Sequence, residues 1–227
     1  MGRSRVKGSL KRAVLDYPGE ILTDSAQMRA RRGRWTQAFG DDAPIHLEVG
    51  MGRGRFLAEL AAREERVNYA GVELKPDRCV AARAKLLKKA RRPFVVLNAA
   101  VEILPQLFAP GELARIYLNF PDPWPPWVYR GRRMFGEALL RVYQSLLAEG
   151  GELWFRSDQP ACYEELVASL PRHLTLTGHG RDLHACPDGF SIFQSEYERR
   201  YLAAGATIHF ARLVKRTTRI ELLRAGC

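Results

Sequence analysis

The sequence predicts an α/β fold: an open, mostly parallel sheet with helices on both faces. Three observations carry this. Short apolar runs of strand length alternate with segments of helical period. Residues 45–49 (IHLEV) run directly into a glycine-rich turn and then a helical pattern, which is how a βαβ unit begins. Residues 116–127 (IYLNFPDPWPPW) start as an alternating strand and stop at a loop holding four prolines. A proline cannot donate to a sheet ladder and fixes its own φ, so a stiff, extended loop at the carboxyl end of a strand is expected there.

With 227 residues and 46% hydrophobic content, the chain is long enough for a sizeable core. We expect a basic, partly disordered N-terminal arm over residues 1–44 and a folded domain over 45–227. No apolar run is long enough for a membrane span, and no apolar stretch of the kind a secretory signal needs follows the basic N-terminus. Cys79, Cys162, Cys186 and Cys227 are scattered without a CxxC pair. That argues against a zinc site or a disulfide framework and for a reduced, cytoplasmic protein. His46, His173, His179, His184 and His209 lack metal-ligand spacing, so no metal is expected. The GxSxG elbow, the P-loop and HExxH are all absent. A net charge of +11 and a pI near 9.9 favour a polyanionic partner.

The first 44 residues cluster their positive charge: Arg3, Arg5, Lys7, Lys11, Arg12, Arg29, Arg31, Arg32 and Arg34. Gly2, Gly8, Pro18, Gly19 and Gly33 break any long period, leaving room for one short helix over residues 25–32. Such an arm is either a solvated tail or a nonspecific contact for phosphates, and the clustering favours the second.

After the strand at residues 45–49 come Gly50, Gly52 and Gly54, and residues 55–62 have helical spacing. The glycines allow a sharp turn against which a ligand can lie, and the helix start offers free amides. The spacing is GxGxG rather than the dinucleotide GxGxxG, and Glu48 precedes it. A carboxylate there repels a pyrophosphate and suits a cationic amino group. This points away from NAD and towards S-adenosylmethionine.

A second strand at residues 69–74 ends at Glu73, about twenty residues beyond the loop, where an acid can accept from ribose hydroxyls. The competing reading is a charge at the N-terminus of the helix opened by Pro76. Residues 76–91 form a basic amphipathic helix. A third strand at residues 94–97 ends at Asn98 and Ala99, and Asn98 carries donors and acceptors suited to an adenine edge, or else simply makes a turn.

The fourth strand leads to Asp122, held between Pro121 and Pro123 with Trp124 and Trp127 just beyond. Beside it, Arg132 and Arg133 either hold phosphates near the reacting base or are surface charges. A helix over residues 137–147 stops at Gly150 and Gly151. A fifth strand at residues 152–155 places Asp158 on the same rim as Glu48, Glu73 and Asp122. Another helix spans residues 163–170. Two last strands, at residues 174–177 and 206–214, flank an irregular stretch with Ser195, Glu196, Tyr197 and Glu198, and the final pair is expected to form an antiparallel edge. His46 and His209 fall inside strands and read as packed side chains.

These motifs together resemble the bacterial tRNA (guanine-N7)-methyltransferase family over residues 25–215. The segment FPDPW at residues 120–124 is the most specific, and SEYE at residues 195–198 is similar to the family's TxYE. The resemblance implies a Rossmann-like class I methyltransferase sheet and fixes the order of the last two strands. It implies S-adenosylmethionine held by Glu48, Gly50, Gly52, Gly54, Glu73, Asn98, Ala99 and Asp122. It places Asp122 at the reaction centre and Asp158 and residues 195–198 against the target guanine, in the variable loop of a tRNA. Pro126 stands where many members carry lysine, leaving that contact to Arg130, Arg132 or Arg133. Ala99 stands where many carry aspartate, leaving the adenine to Asn98 and backbone groups. Ser195 keeps the hydroxyl of the usual threonine.

Guanine N7 has a lone pair and no proton, so no general base is needed. The expected work is positioning and electrostatics, with Asp122 orienting base and cofactor. The alternatives are a methyltransferase for another RNA or a small molecule, and a nonenzymatic RNA-binding protein. The oligomeric state stays open between monomer and homodimer.

Overall fold

The computed structural model describes residues 21–91, 93–123, 133–186 and 196–216, with the side chains of Glu196 and Tyr197 excepted. The chain divides into two compact units, Met1–Ala109 and Pro110–Cys227.

In the first unit, strands β1 (Ile21–Leu22), β2 (Ile45–Val49), β3 (Asn68–Glu73) and β4 (Phe94–Asn98) pair in parallel in the order β1-β4-β3-β2. The β2 and β3 runs are buried along their whole length, as expected of strands covered on both faces. Parallel pairing puts their carboxyl ends on one rim, with Glu73 opposite Asn98. Between the strands run α3 (Arg55–Ala61) and α4 (Pro76–Lys89). Pro76 starts α4, where a missing amide proton costs nothing.

The folded part begins well before Ile45. β1 pairs with β4, and α1 (Ser25–Ala30) and α2 (Trp35–Phe39) follow it. Asp24 caps α1 by accepting from the Ala26 amide at 2.8 Å. Trp35 is buried, donates its indole N–H to the Leu107 carbonyl at 2.8 Å and stacks on Phe108 at 5.4 Å. One aromatic anchor thus ties residues 21–44 of the expected arm to α5 (Leu104–Leu107) and its neighbour. Residues 1–20 lie outside the described residues.

In the second unit the order is β5-β6-β8-β7, from β5 (Leu113–Asn119), β6 (Leu147–Ser157), β7 (Leu174–Gly180) and β8 (His209–Lys215). β5 and β6 are parallel, and β8 lies antiparallel between β6 and β7. The mostly parallel α/β arrangement with an antiparallel C-terminal pair is therefore present. Helices α6 (Glu137–Leu146) and α7 (Pro160–Ala168) flank β6 in sequence. Helix α8 (Glu196–Ala203) starts inside the stretch expected to be irregular. His46 meets Tyr69 edge-on and His209 stacks on Tyr163, so both are packed side chains. Cys79 and Cys162 are free, whereas Cys186 is disulfide-bonded, which its isolated position in the sequence did not suggest.

Candidate functional site

The glycine turn between β2 and α3 takes a left-handed path, with φ of 69° at Gly50, 55° at Gly52 and 67° at Gly54. Such angles are costly for a residue with a Cβ. Gly54 also packs tightly: a Cβ there would lie 2.5 Å from the Ala82 Cβ on α4. A Cβ on Gly52 would meet nothing within 4 Å, so that backbone faces open space. The loop is pinned to the end of β3, since Gly50 and Met51 both donate to the Val72 carbonyl at 2.9 and 3.1 Å.

Glu73 closes the arrangement. Its Oε2 accepts from the Gly52 amide at 3.1 Å and its Oε1 from the Lys75 amide at 2.9 Å, with Arg78 at 3.7 Å. The two readings of this acid coexist. It binds the backbone at the start of α4 and at the same time holds the glycine loop. A carboxylate has about four acceptor positions, so it keeps capacity for ligand hydroxyls. Glu48 is buried one residue before the end of β2. Asn98 turns its NH₂ to the carbonyls of Glu73 and Leu74, both at 3.0 Å. It therefore braces the end of β3, and its donors are not aimed at an adenine edge. The Ala99 amide donates to the Glu73 carbonyl at 3.2 Å. Leu74, which sequence reasoning passed over, is 66% exposed beside Glu73 and offers an apolar surface for a flat ring. The signal available in the sequence was an apolar residue between a strand-end acid and a helix-opening proline.

The second unit builds another rim at the ends of β5 and β6. β5 ends at Asn119, and Phe120 follows with φ of 50°, an outlier for a bulky side chain. Its amide donates to the Arg156 carbonyl at 2.8 Å, and its ring stacks on Tyr201 of α8 at 5.5 Å. This bend delivers Asp122 exposed, after a buried Pro121. At the end of β6, Asp158 accepts from the Gln159 side chain at 2.6 Å and is half-buried. On α7, Tyr163 makes ring contacts with both His179 and His209 and hydrogen-bonds His179 Nδ1 at 2.7 Å. Burial, and then the charge of Arg181, holds His209 below its usual range.

Two expected substrate contacts are engaged elsewhere. Arg133 is buried, ion-paired with Glu165 of α7 and set over the Phe135 ring, so it fastens α7 and is not presented to a phosphate. Glu198 is fully buried. Its Oε2 meets Arg156 at 3.2 Å and its Oε1 meets His184 Nε2 at 3.1 Å, so its oxygens face protein side chains and not an open guanine site. Arg132, Ser195 and the loop from Trp124 to Arg130 lie outside the described residues, as do the side chains of Glu196 and Tyr197. Among the described residues no group of three His, Cys, Asp or Glu is placed to hold a metal ion, and no helix is long and apolar enough to cross a membrane.

A βαβ half with a carboxylate-closed glycine loop, followed by a half with an antiparallel C-terminal pair, is the class I methyltransferase architecture. Solved structures agree on the fold. The 16S rRNA methyltransferase KamB superposes with a TM-score of 0.56 at 16% identity, covering 84% of this chain and 92% of that one. A 16S rRNA (adenine-N1)-methyltransferase from Catenulisporales acidiphilia, solved with its cosubstrate, gives 0.50 at 21% identity over 87% and 92% of the chains. The family model described as "Putative methyltransferase" matches residues 42–211. The tRNA (guanine-N(7)-)-methyltransferase of a Geobacillus species is 36% identical over 91% of this chain and 93% of its own length. The chain belongs to the tRNA (guanine-N7)-methyltransferase family.

Proposed function

We propose that the chain transfers a methyl group from S-adenosylmethionine to N7 of a guanine in the variable loop of tRNA, acting in the cytoplasm. One observation carries the reading. In a chain of this family, the glycine loop is closed by the Glu73 carboxylate on the Gly52 amide and preceded by the buried Glu48, an arrangement that suits hydroxyls and an ammonium and disfavours a pyrophosphate. The residues fit the cofactor. Glu73 would take ribose hydroxyls, buried Glu48 would supply negative charge for the amino group, Gly50, Gly52 and Gly54 would let the ligand approach, and exposed Leu74 would offer an apolar surface to the adenine. Asn98 and Ala99 hold the shape of that rim through the end of β3. S-adenosylmethionine supplies an electrophilic sulfonium methyl.

The acceptor half orients and neutralises. Asp122 sits exposed on a stiff proline-flanked bend, where it aligns base and cofactor without removing a proton. As N7 gains the methyl, the purine gains positive charge, and the carboxylates of Asp122 and Asp158 stabilise it. Ser195, Glu196 and Tyr197 hold the target base, which leaves its stack to enter the site. The basic residues 1–44, Arg130 and Arg132 contact phosphates.

The test is methyl transfer from labelled S-adenosylmethionine to unmodified tRNA transcripts, with the product mapped by nucleoside mass spectrometry and by chain cleavage at 7-methylguanosine. Variable-loop 7-methylguanosine is the expected result. Unmodified RNA despite tight S-adenosylhomocysteine binding would move the acceptor to another molecule. An Asp122→Asn variant with near-normal turnover across the pH range would remove the charge role of that carboxylate.

A further inference from the structure

The rim at the ends of β5 and β6 is fixed by a buried assembly centred on Arg156, a residue that makes no contact with a substrate in the reading above. Arg156 is 1% exposed although it is a full positive charge. A charge so enclosed is tolerated only when it is paired and hydrogen-bonded. Its guanidinium meets Glu198 of α8 at 3.2 Å, and Glu198 is itself fully buried and bonded on its other oxygen by His184. The Arg156 carbonyl accepts from the Phe120 amide at 2.8 Å. One residue thus holds both α8, through its side chain, and the bend that carries Asp122, through its backbone.

The geometry closes into a ring. Phe120 stacks on Tyr201, which lies three positions after Glu198 and so on the same face of α8. The helix is therefore docked at two points, by an ion pair to β6 and by an aromatic stack to the residue after β5. Leu183, Cys186, Ile208 and Phe210 pack beneath it as an apolar cluster, with Phe120, Tyr201 and Leu202 against them. The strained φ of Phe120 persists because its amide and its ring are both held. Glu196 and Tyr197, at the first turn of α8, ride on the docked helix.

We propose that Arg156 is a positioning residue for the acceptor half. Through Glu198 and Phe120 it sets the distance between the carboxylate of Asp122, Asp158 on its own strand and the start of α8. This rests on the function proposed above and deepens it, because it assigns Glu198 to alignment and not to the base. Apolar packing would hold α8 equally well, but an ion pair with a hydrogen-bonded histidine also fixes its register. A displacement of about 1 Å at a reacting group costs on the order of 100-fold in rate.

The test measures kcat and KM on tRNA, S-adenosylhomocysteine affinity and Tm for wild type, Arg156→Met, Glu198→Met and the double variant. Each single change strands a buried charge and lowers Tm, whereas the double variant removes both charges and recovers it. The expected outcome has four parts. Each variant loses about 100-fold in kcat. KM for tRNA changes little. S-adenosylhomocysteine affinity stays within about threefold of wild type. The double variant keeps the kcat defect of one single variant despite its recovered Tm, because the two residues act as a unit. If kcat returns with Tm, or if the losses multiply in the double variant, or if KM rises in place of a fall in kcat, the assignment is overturned. A wild-type protein that makes no 7-methylguanosine overturns the function and this inference together, while an active wild type with any of those results overturns the inference alone.

Discussion

The Gly52 amide donates to Glu73 Oε2 across 3.1 Å, joining the tip of the glycine loop to a strand end 21 residues later. Because the same carboxylate also accepts from Lys75, one buried acid sets the loop, the end of β3 and the start of α4 relative to one another. The shape of this rim therefore depends on a single side chain.

Replacing that side chain tests the coupling. Glu73→Gln keeps the shape but loses the charge and half of the acceptor capacity. Hydrogen bonds to a charged group contribute about 1.5–3 kcal/mol, so affinity for S-adenosylhomocysteine should fall roughly 10- to 100-fold by titration calorimetry. An unchanged Kd would mean that the carboxylate serves the loop and the helix start alone.

The glycines separate conformation from packing. Gly52→Ala must hold a left-handed φ, at about 1–2 kcal/mol, but meets no neighbour. Gly54→Ala carries the same backbone cost and drives its Cβ against Ala82. Its Tm should fall further than that of Gly52→Ala, and Ala82→Gly should recover part of the difference. Equal losses in the two single variants would show that α4 yields easily at this contact.

How much of this was legible in the sequence follows from where the signals lie. β2, β3 and β5 each end in a local mark, Gly50, Pro76 or Pro121, so strand ends and rim residues could be read from short windows. The short helix expected over residues 25–32 is present as α1, but β1 and α2 are too short to show a period, and it takes the β1–β4 pairing and the burial of Trp35 to show that residues 21–44 belong to the fold. The Arg156–Glu198 pair joins positions 42 apart, and nothing in either neighbourhood announces it. Arg133 looked like part of a basic loop because its partner Glu165 lies on α7, beyond both α6 and β6. Asn98 was read as a ligand contact because strand ends attract that reading, whereas its NH₂ is committed to backbone carbonyls at the end of the preceding strand.

Stability should depend on pH through His209. Burial, and then Arg181, keeps its folded pKa below the ordinary 6.5, so the ring stays neutral where the unfolded chain takes up a proton. The sign follows: this contribution is fully present above pH 6.5 and is lost as pH falls below 6.5 towards the folded value. Urea midpoints between pH 5 and 8 should decline at the acid end for wild type and decline less for His209→Gln. Parallel curves for the two proteins would assign the acid slope to other groups.

Cys79 offers a probe of the first unit that needs no substitution. It is free, fully buried on α4, and its Sγ lies 3.4 Å from the Glu73 carbonyl. Burial first, and then the nearby Glu73 charge, pushes the thiol pKa up to about 12, so at pH 8 almost none is thiolate in the folded state. Alkylation by iodoacetamide must then wait for the helix to open. A ligand that binds only the closed rim slows the reaction in proportion to its concentration once that exceeds Kd, about 100-fold at 100 times Kd. Peptide mass spectrometry with and without S-adenosylhomocysteine reads this directly. Protection of that size would tie opening of α4 to the same rim that Glu73 closes, whereas rapid labelling unaffected by the ligand would show that α4 opens without disturbing it.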